Sequence, residues 1–200
     1  MYRYRRNGVP LEVTDVFSID GASVSAVREH TGGARMEIDA TVDGLGLVSG
    51  FDLLWTHGGE GQIGRRLVSY SLADEELRVT VDGVSRTLVV ASDTLLFPLL
   101  RVFQGAVILA VAEAGPNGRT VIIPDLHRLA DPERLLEPTV ETRTARCLSG
   151  DASTGVSTYS YEGSVYDASA RFFIDVGRRR MTGYRFPQAD GSAIDVQLQR

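Results

Sequence analysis

The stretch His57-Gly-Gly-Glu-Gly-Gln-Ile-Gly-Arg-Arg66 carries glycines at 59, 61 and 64, the G-x-G-x-x-G spacing, and its reading decides between two fold classes. In a dinucleotide-binding turn these glycines follow a strand and open a helix whose N-terminus takes the pyrophosphate. Part of the context fits. Residues 51–56 read as a strand, Ile63, Leu67 and Tyr70 recur at helical spacing, and Asp82 stands where a ribose-binding carboxylate belongs.

Three features point the other way. Arg65-Arg66 would add positive charge to a helix N-terminus that is already positive, which destabilises the empty helix. Val68, Tyr70 and Leu72 alternate with Ser69 and Ser71, the period of a strand. The motif needs βαβ units around it, whereas hairpins surround it and Asp82-Gly83 is itself a hairpin turn. The glycines are therefore expected to connect two strands, and no nucleotide cofactor follows from them.

Working outward, the same alternation dominates the chain. Asn7-Gly8 separates two alternating runs, and a two-residue loop would set Tyr4 opposite Leu11, Tyr2 opposite Val13 and Arg3 opposite Glu12. Met36, Ile38, Ala40 and Val42 share one face; after the Asp43-Gly44 turn, Leu45, Leu47, Phe51, Leu53 and Trp55 again fall on odd positions. Further strands are expected around 77–81, 84–90, 140–148, 156–161, 168–176, 180–186 and 193–198.

Two segments break the pattern. Residues 93–103 open on Asp93 and are apolar almost all round, which predicts a buried helix; residues 131–136 have Asp as N-cap and Pro at the first helical position, which predicts a short one. Pro98, Arg101, Gln104 and Gly105 interrupt the apolar region 95–114, so a strand over 106–112 is expected rather than a membrane span. The fold class expected is mainly β: one domain over residues 1–200, an antiparallel barrel or half-barrel of about ten to twelve strands with one buried and one short helix.

Composition narrows the chemistry. All 21 basic residues are arginine, so Schiff-base chemistry, covalent pyridoxal phosphate and a P-loop ammonium are excluded. The net charge of −5 opposes nucleic acid as a partner, and Arg178-Arg-Arg180 is too short to reverse it. The lone Cys147 has no motif around it and is expected to be a small buried residue. His30, His57 and His127 have no ligand spacing, so no metal site is expected. No apolar leader follows Met1, so a cytoplasmic location is expected, or a periplasmic one if a leader has been removed.

The candidate site residues are polar groups in apolar registers. Asp15 interrupts the row Val9, Leu11, Val13, Phe17, Ile19; His57 extends the row of Phe51, Leu53 and Trp55; Arg101 stands in an apolar segment. Inside a barrel each must find a partner or mark a cavity, although a β-bulge at Asp15 or a rim position for His57 would also serve. Tyr70, Tyr159, Tyr161, Tyr166 and Tyr184 form a tyrosine set spread over several strands. Asp15, His57, Tyr70 and Arg101 are the candidate catalytic groups, and Trp55, Phe51, Phe97, Tyr159 and Tyr184 the candidate ligand-binding wall.

With these elements placed, the stretches "YRYRRNGVPLEV", "SDTLLFPLLRVFQG", "DPERLLEPTVETR" and "GYRFPQADGSAIDVQL" together resemble open β-barrels of the lipoprotein-carrier type (LolA/LolB-like). That resemblance implies a curved sheet wrapped around helices and a carrier role for lipid or lipoprotein. At fold level the chain also resembles lipocalin-like cyclases of bacterial natural-product pathways, which implies an apolar cavity and catalysis without a cofactor. The function expected is binding of a hydrophobic small molecule by a cofactor-free cyclase or isomerase, with a non-catalytic carrier as the alternative and no stable membrane insertion.

Overall fold

The computed structural model describes residues 1–30, 32–59, 62–126, 135–163, 166 and 169–199. The first half of the chain forms β1 (Tyr2–Arg6), β2 (Val9–Asp20), β3 (Ser23–Glu29), β4 (Arg35–Val42), β5 (Val48–Gly59), β6 (Gln62–Ala73), β7 (Glu76–Val81), β8 (Val84–Val89) and β9 (Leu95–Leu96). Then come helix α1 (Arg101–Glu113), a 3-10 turn (Gly115–Asn117) and β10 (Arg119–Pro124). Five further strands follow: β11 (Pro138–Asp151), β12 (Val156–Glu162), β13 (Arg171–Asp175), β14 (Arg180–Pro187) and β15 (Ala193–Leu198).

Twelve of these strands close a barrel in the order β5-β4-β3-β2-β1-β15-β14-β13-β12-β11-β10-β9 and back to β5. β6, β7 and β8 continue outward from β5, because its Val48 pairs with Leu96 of β9 while Gly50 onward pairs with β6. Residues 57–59 and 62–66 thus belong to the β5–β6 hairpin, with His57 opposite Gly64 and Trp55 opposite Arg66. Nearly all pairings are antiparallel. The exception is β9 with β10, where Leu95 and Leu96 lie parallel to Val121 and Ile122. A parallel pair needs a crossover, and α1 supplies it.

That helix corrects the expected order of 93–112. Residues 93–100 hold β9 and turns instead of a helix, and 106–112 are helical instead of extended. Pro98 has no N–H and Leu99 takes φ +68°, so no helix runs through them, and α1 starts only after Leu100. The segment 106–112 misled because every residue from Val102 to Val111 is buried, so no polar face marks the helical period. Among the described residues no helix is long and apolar enough to cross a membrane. The short helix expected at 131–136 falls mostly outside the described residues; Leu135 and Leu136 form a turn.

Two smaller corrections follow. In the first hairpin the pairs nearest the turn are Arg6 with Val9 and Arg5 with Pro10, but a bulge then moves Arg3 opposite Thr14 and Tyr2 opposite Asp15. The expected pairs Tyr4–Leu11, Tyr2–Val13 and Arg3–Glu12 do not form. Cys147 is exposed rather than buried, on β11 across from Tyr159.

α1 packs against β11 and β14 and fills the barrel interior together with inward residues such as Tyr2, Phe172 and Met181, all fully buried. Contact with β14 is close at Gly105, where a Cβ would lie 2.7 Å from the Arg180 carbonyl carbon and 2.8 Å from the Arg179 oxygen. These are backbone atoms and cannot swing away. Gly105→Ala would gain about 1 kcal/mol of helix propensity, yet it overpacks the crossing; a net loss of about 1–3 kcal/mol in urea unfolding is expected. An unchanged or higher stability would show that the helix does not rest on β14 in this way.

Candidate functional site

The site starts from a cross-strand pair. Turning at Gly21-Ala22, β2 and β3 place Asp15 opposite Arg28 on the inner face. Both side chains are buried, Asp15 at 1% exposure and Arg28 at 8%. Arg28 donates from Nε to Asp15 Oδ1 at 2.6 Å and from Nη2 to Oδ2 at 2.8 Å, the bidentate fork that guanidinium and carboxylate share. The same Nη2 donates to the Tyr4 hydroxyl at 2.6 Å, which in turn donates to Asp15 Oδ2 at 3.0 Å.

Asp15 also accepts the backbone N–H of Arg101 at 3.2 Å. Leu100, the residue preceding α1, has no side-chain oxygen to cap the helix, so a carboxylate from β2 does it instead. Burial acts to raise the Asp15 pKa, but the Arg28 charge, its hydrogen bonds and Arg101 together hold it below the usual carboxylate range. With its lone pairs committed to Arg28, Tyr4 and α1, Asp15 positions its neighbours.

Arg101 is half-buried, and its guanidinium is held by neutral groups. Nη1 donates to Gln104 Oε1 at 2.7 Å and to the Tyr166 hydroxyl at 2.9 Å, and Nη2 donates to the Tyr184 hydroxyl at 3.3 Å. The cation also lies over the Tyr184 ring at 4.6 Å and the Tyr4 ring at 5.9 Å. Tyr166 is packed edge-on against Phe172, Tyr184 and Phe186. Burial acts to raise its pKa, yet the Arg101 charge and hydrogen bond, with Gln104 and Arg143, lower it below the usual phenol value. Further along, Arg143 is held by Glu141 at 2.7 Å and by the Tyr161 hydroxyl at 3.1 Å.

These groups face a cavity of about 250 Å³ between the end of β3, the end of β10, the start of β11 and the first turn of α1. One wall is apolar, formed by Phe97, Leu99, Ile123 and Leu126; the other presents Arg101 and Tyr166, flanked by Arg28 and Arg143. Leu99 holds a left-handed backbone, a conformation that costs leucine about 1–2 kcal/mol. It is fixed by the turn in which Leu100 N–H reaches Pro98 O at 2.9 Å. A larger hollow of about 930 Å³ lies over the outer face of β12–β15 beside the exposed Phe173.

The candidate residues separate into two groups. Arg101 and Phe97 line this cavity, and Asp15 and Tyr184 hold Arg101 from behind without lining it. Tyr70 stacks on Phe51 at 4.7 Å and donates to the Leu136 carbonyl at 2.6 Å, deep in the β5–β6 part of the core. Trp55 is buried edge-on against His30, Tyr159 lies across from Cys147, and His57 is exposed near the end of β5. None of these five lines the cavity.

Sequence reading missed Arg28 and Arg143. The signal for Arg28 was present, since Val24, Ala26 and Arg28 alternate on one face as Asp15 does in β2, and the Gly21 turn sets the two opposite each other. Arg143 follows the same logic after Thr139 and Glu141.

Asp15→Ala leaves Arg28 buried without its carboxylate and α1 uncapped, so a loss of about 3–5 kcal/mol is expected in urea unfolding near pH 7. Because the folded pKa is depressed, this contribution is complete above the unfolded value of about 3.9 and is lost as pH falls through the folded one. The variant should therefore lose less stability than the wild type on acidification. Parallel acid profiles would contradict the assignment.

No protein-family profile, curated protein or solved structure matches the chain, so the reading of this site stands on its own geometry.

Proposed function

We propose that this chain binds a small molecule with an apolar body in the cavity at the start of α1. The observation that carries the reading is the convergence of Arg101 and Tyr166 onto a cavity whose opposite wall is Phe97, Leu99, Ile123 and Leu126. Apolar walls with a few fixed polar groups are the composition of ligand sites. At about 250 Å³ the cavity lies at the small end of ligand sites.

Size and filling bear on the two forms of this reading. A carrier of the LolA/LolB type would enclose acyl chains, but α1 occupies the interior here. The cofactor-free isomerase or cyclase form has a specific support in Tyr166, a phenol made more acidic by Arg101 and lining the cavity, which is suited to move a proton on a bound carbonyl compound. A polyketide-like ligand would have to be short, or extend beyond the cavity.

The test is a panel of compounds of eight to ten heavy atoms, acids, alcohols and amines, screened by thermal unfolding. A binder present at a hundred times its Kd adds about 2.7 kcal/mol, which raises Tm by roughly 5–10 °C for a chain of this length. Thr139 lines the cavity opposite Ile123, and Thr139→Trp, folded as judged by circular dichroism, should abolish every shift. Shifts that survive Thr139→Trp, or none across the panel, would place binding elsewhere or reject it.

A further inference from the structure

Resting on that reading, we propose that the ligand is a monoanion, a carboxylate or an equivalent singly charged group on an apolar body, and that Arg101 is the residue that recognises it. Among the described residues three guanidinium groups line the cavity, those of Arg28, Arg101 and Arg143. Arg28 is neutralised by Asp15 through two contacts of 2.6 and 2.8 Å, and Arg143 by Glu141 through contacts of 2.7 and 3.1 Å. Arg101 has no carboxylate within 4.0 Å of its guanidinium among the described residues.

Among the described residues, those that hold the Arg101 guanidinium by hydrogen bonds or ring contacts are neutral groups: one amide oxygen, two phenol hydroxyls and two aromatic faces. Those hydrogen bonds use three of its five N–H groups, and Nε is buried with no acceptor. Asp15 approaches Arg101 only at the backbone N–H and already serves Arg28. Asp125 lies on the cavity rim, beyond 4.0 Å from the guanidinium, and has a partner of its own.

A half-buried cation without a counter-charge is unfavourable unless a counter-charge arrives, and this one faces a cavity. It also sits in the first turn of α1, where the backbone adds positive potential. One unpaired cation matches one negative charge. A dianion would leave a charge uncompensated, because Arg28 and Arg143 are already paired. The apolar wall opposite receives the body, so the head meets Arg101 and the tail meets Phe97 and Ile123.

Titration calorimetry with octanoate, 1-octanol and octylamine at pH 7 tests this. Octanoate should bind roughly thirty-fold or more tighter than 1-octanol, the scale of a hydrogen-bonded charge pair, and octylamine should not bind. Arg101→Gln should remove the preference for octanoate over 1-octanol, while Arg101→Lys should retain part of it. Equal binding of octanoate and 1-octanol by the wild type overturns the anion assignment and leaves the binding reading intact. A preference that persists in Arg101→Gln overturns the role of Arg101. If none of the three compounds binds, the binding reading itself fails. Should Arg101→Gln not fold, the wild-type selectivity and Arg101→Lys still decide.

Discussion

One carboxylate joins the parts of this molecule that face its cavity. Asp15 belongs to β2, yet its oxygens hold Arg28 of β3, the Tyr4 hydroxyl of β1 and the first N–H of α1. A charge so deeply buried is tolerated only when paired and fully hydrogen-bonded, and here one group meets both conditions for itself, for Arg28 and for an otherwise uncapped helix. The position of α1 then determines where Arg101 stands. A structural carboxylate therefore sets where the Arg101 guanidinium stands.

Closure of the barrel depends on a much smaller element. β9 has two residues, and through them β5 is tied to β10 on the side where β6 would otherwise continue the sheet. The strain at Leu99 and the break at Pro98 lie directly after β9, where the chain must leave the barrel wall and enter the interior as α1. Phe97 and Leu99 of this segment also belong to the apolar side of the cavity. Closing the barrel and shaping the cavity are thus two results of one short segment, 95–100.

Much of the fold was legible because alternating strands with one buried face leave a period-2 signal. The β5–β6 hairpin was recognised on that ground against a formal phosphate-binding motif, through Val68, Tyr70 and Leu72. What could not be read was structure without a polar face. Residues 106–111 are buried on every side, so helix and strand look alike in them, and the turn conformation of Leu99 leaves no trace in residue type. The site was half legible. Asp15 and Arg101 stood out as charges in apolar rows, and Tyr184 and Phe97 joined them. His57, Tyr70, Phe51, Trp55 and Tyr159 satisfied the same compositional criteria but lie on other parts of the sheet, which only register and closure determine. Arg28 shows the converse: its partner across β2–β3 could be counted from the turn once Asp15 was known to point inward.

The most direct measurement is nitrogen-15 NMR of the arginine side chains, with the Arg101 Nε–H signal assigned by its loss in Arg101→Lys. Nε–H of Arg101 is buried and lacks an acceptor, so it should give a slowly exchanging signal that shifts on addition of octanoate but not of 1-octanol. The Arg28 signal, already committed to Asp15, should stay in place. An Arg101 signal indifferent to octanoate, with binding established by another method, would contradict the account.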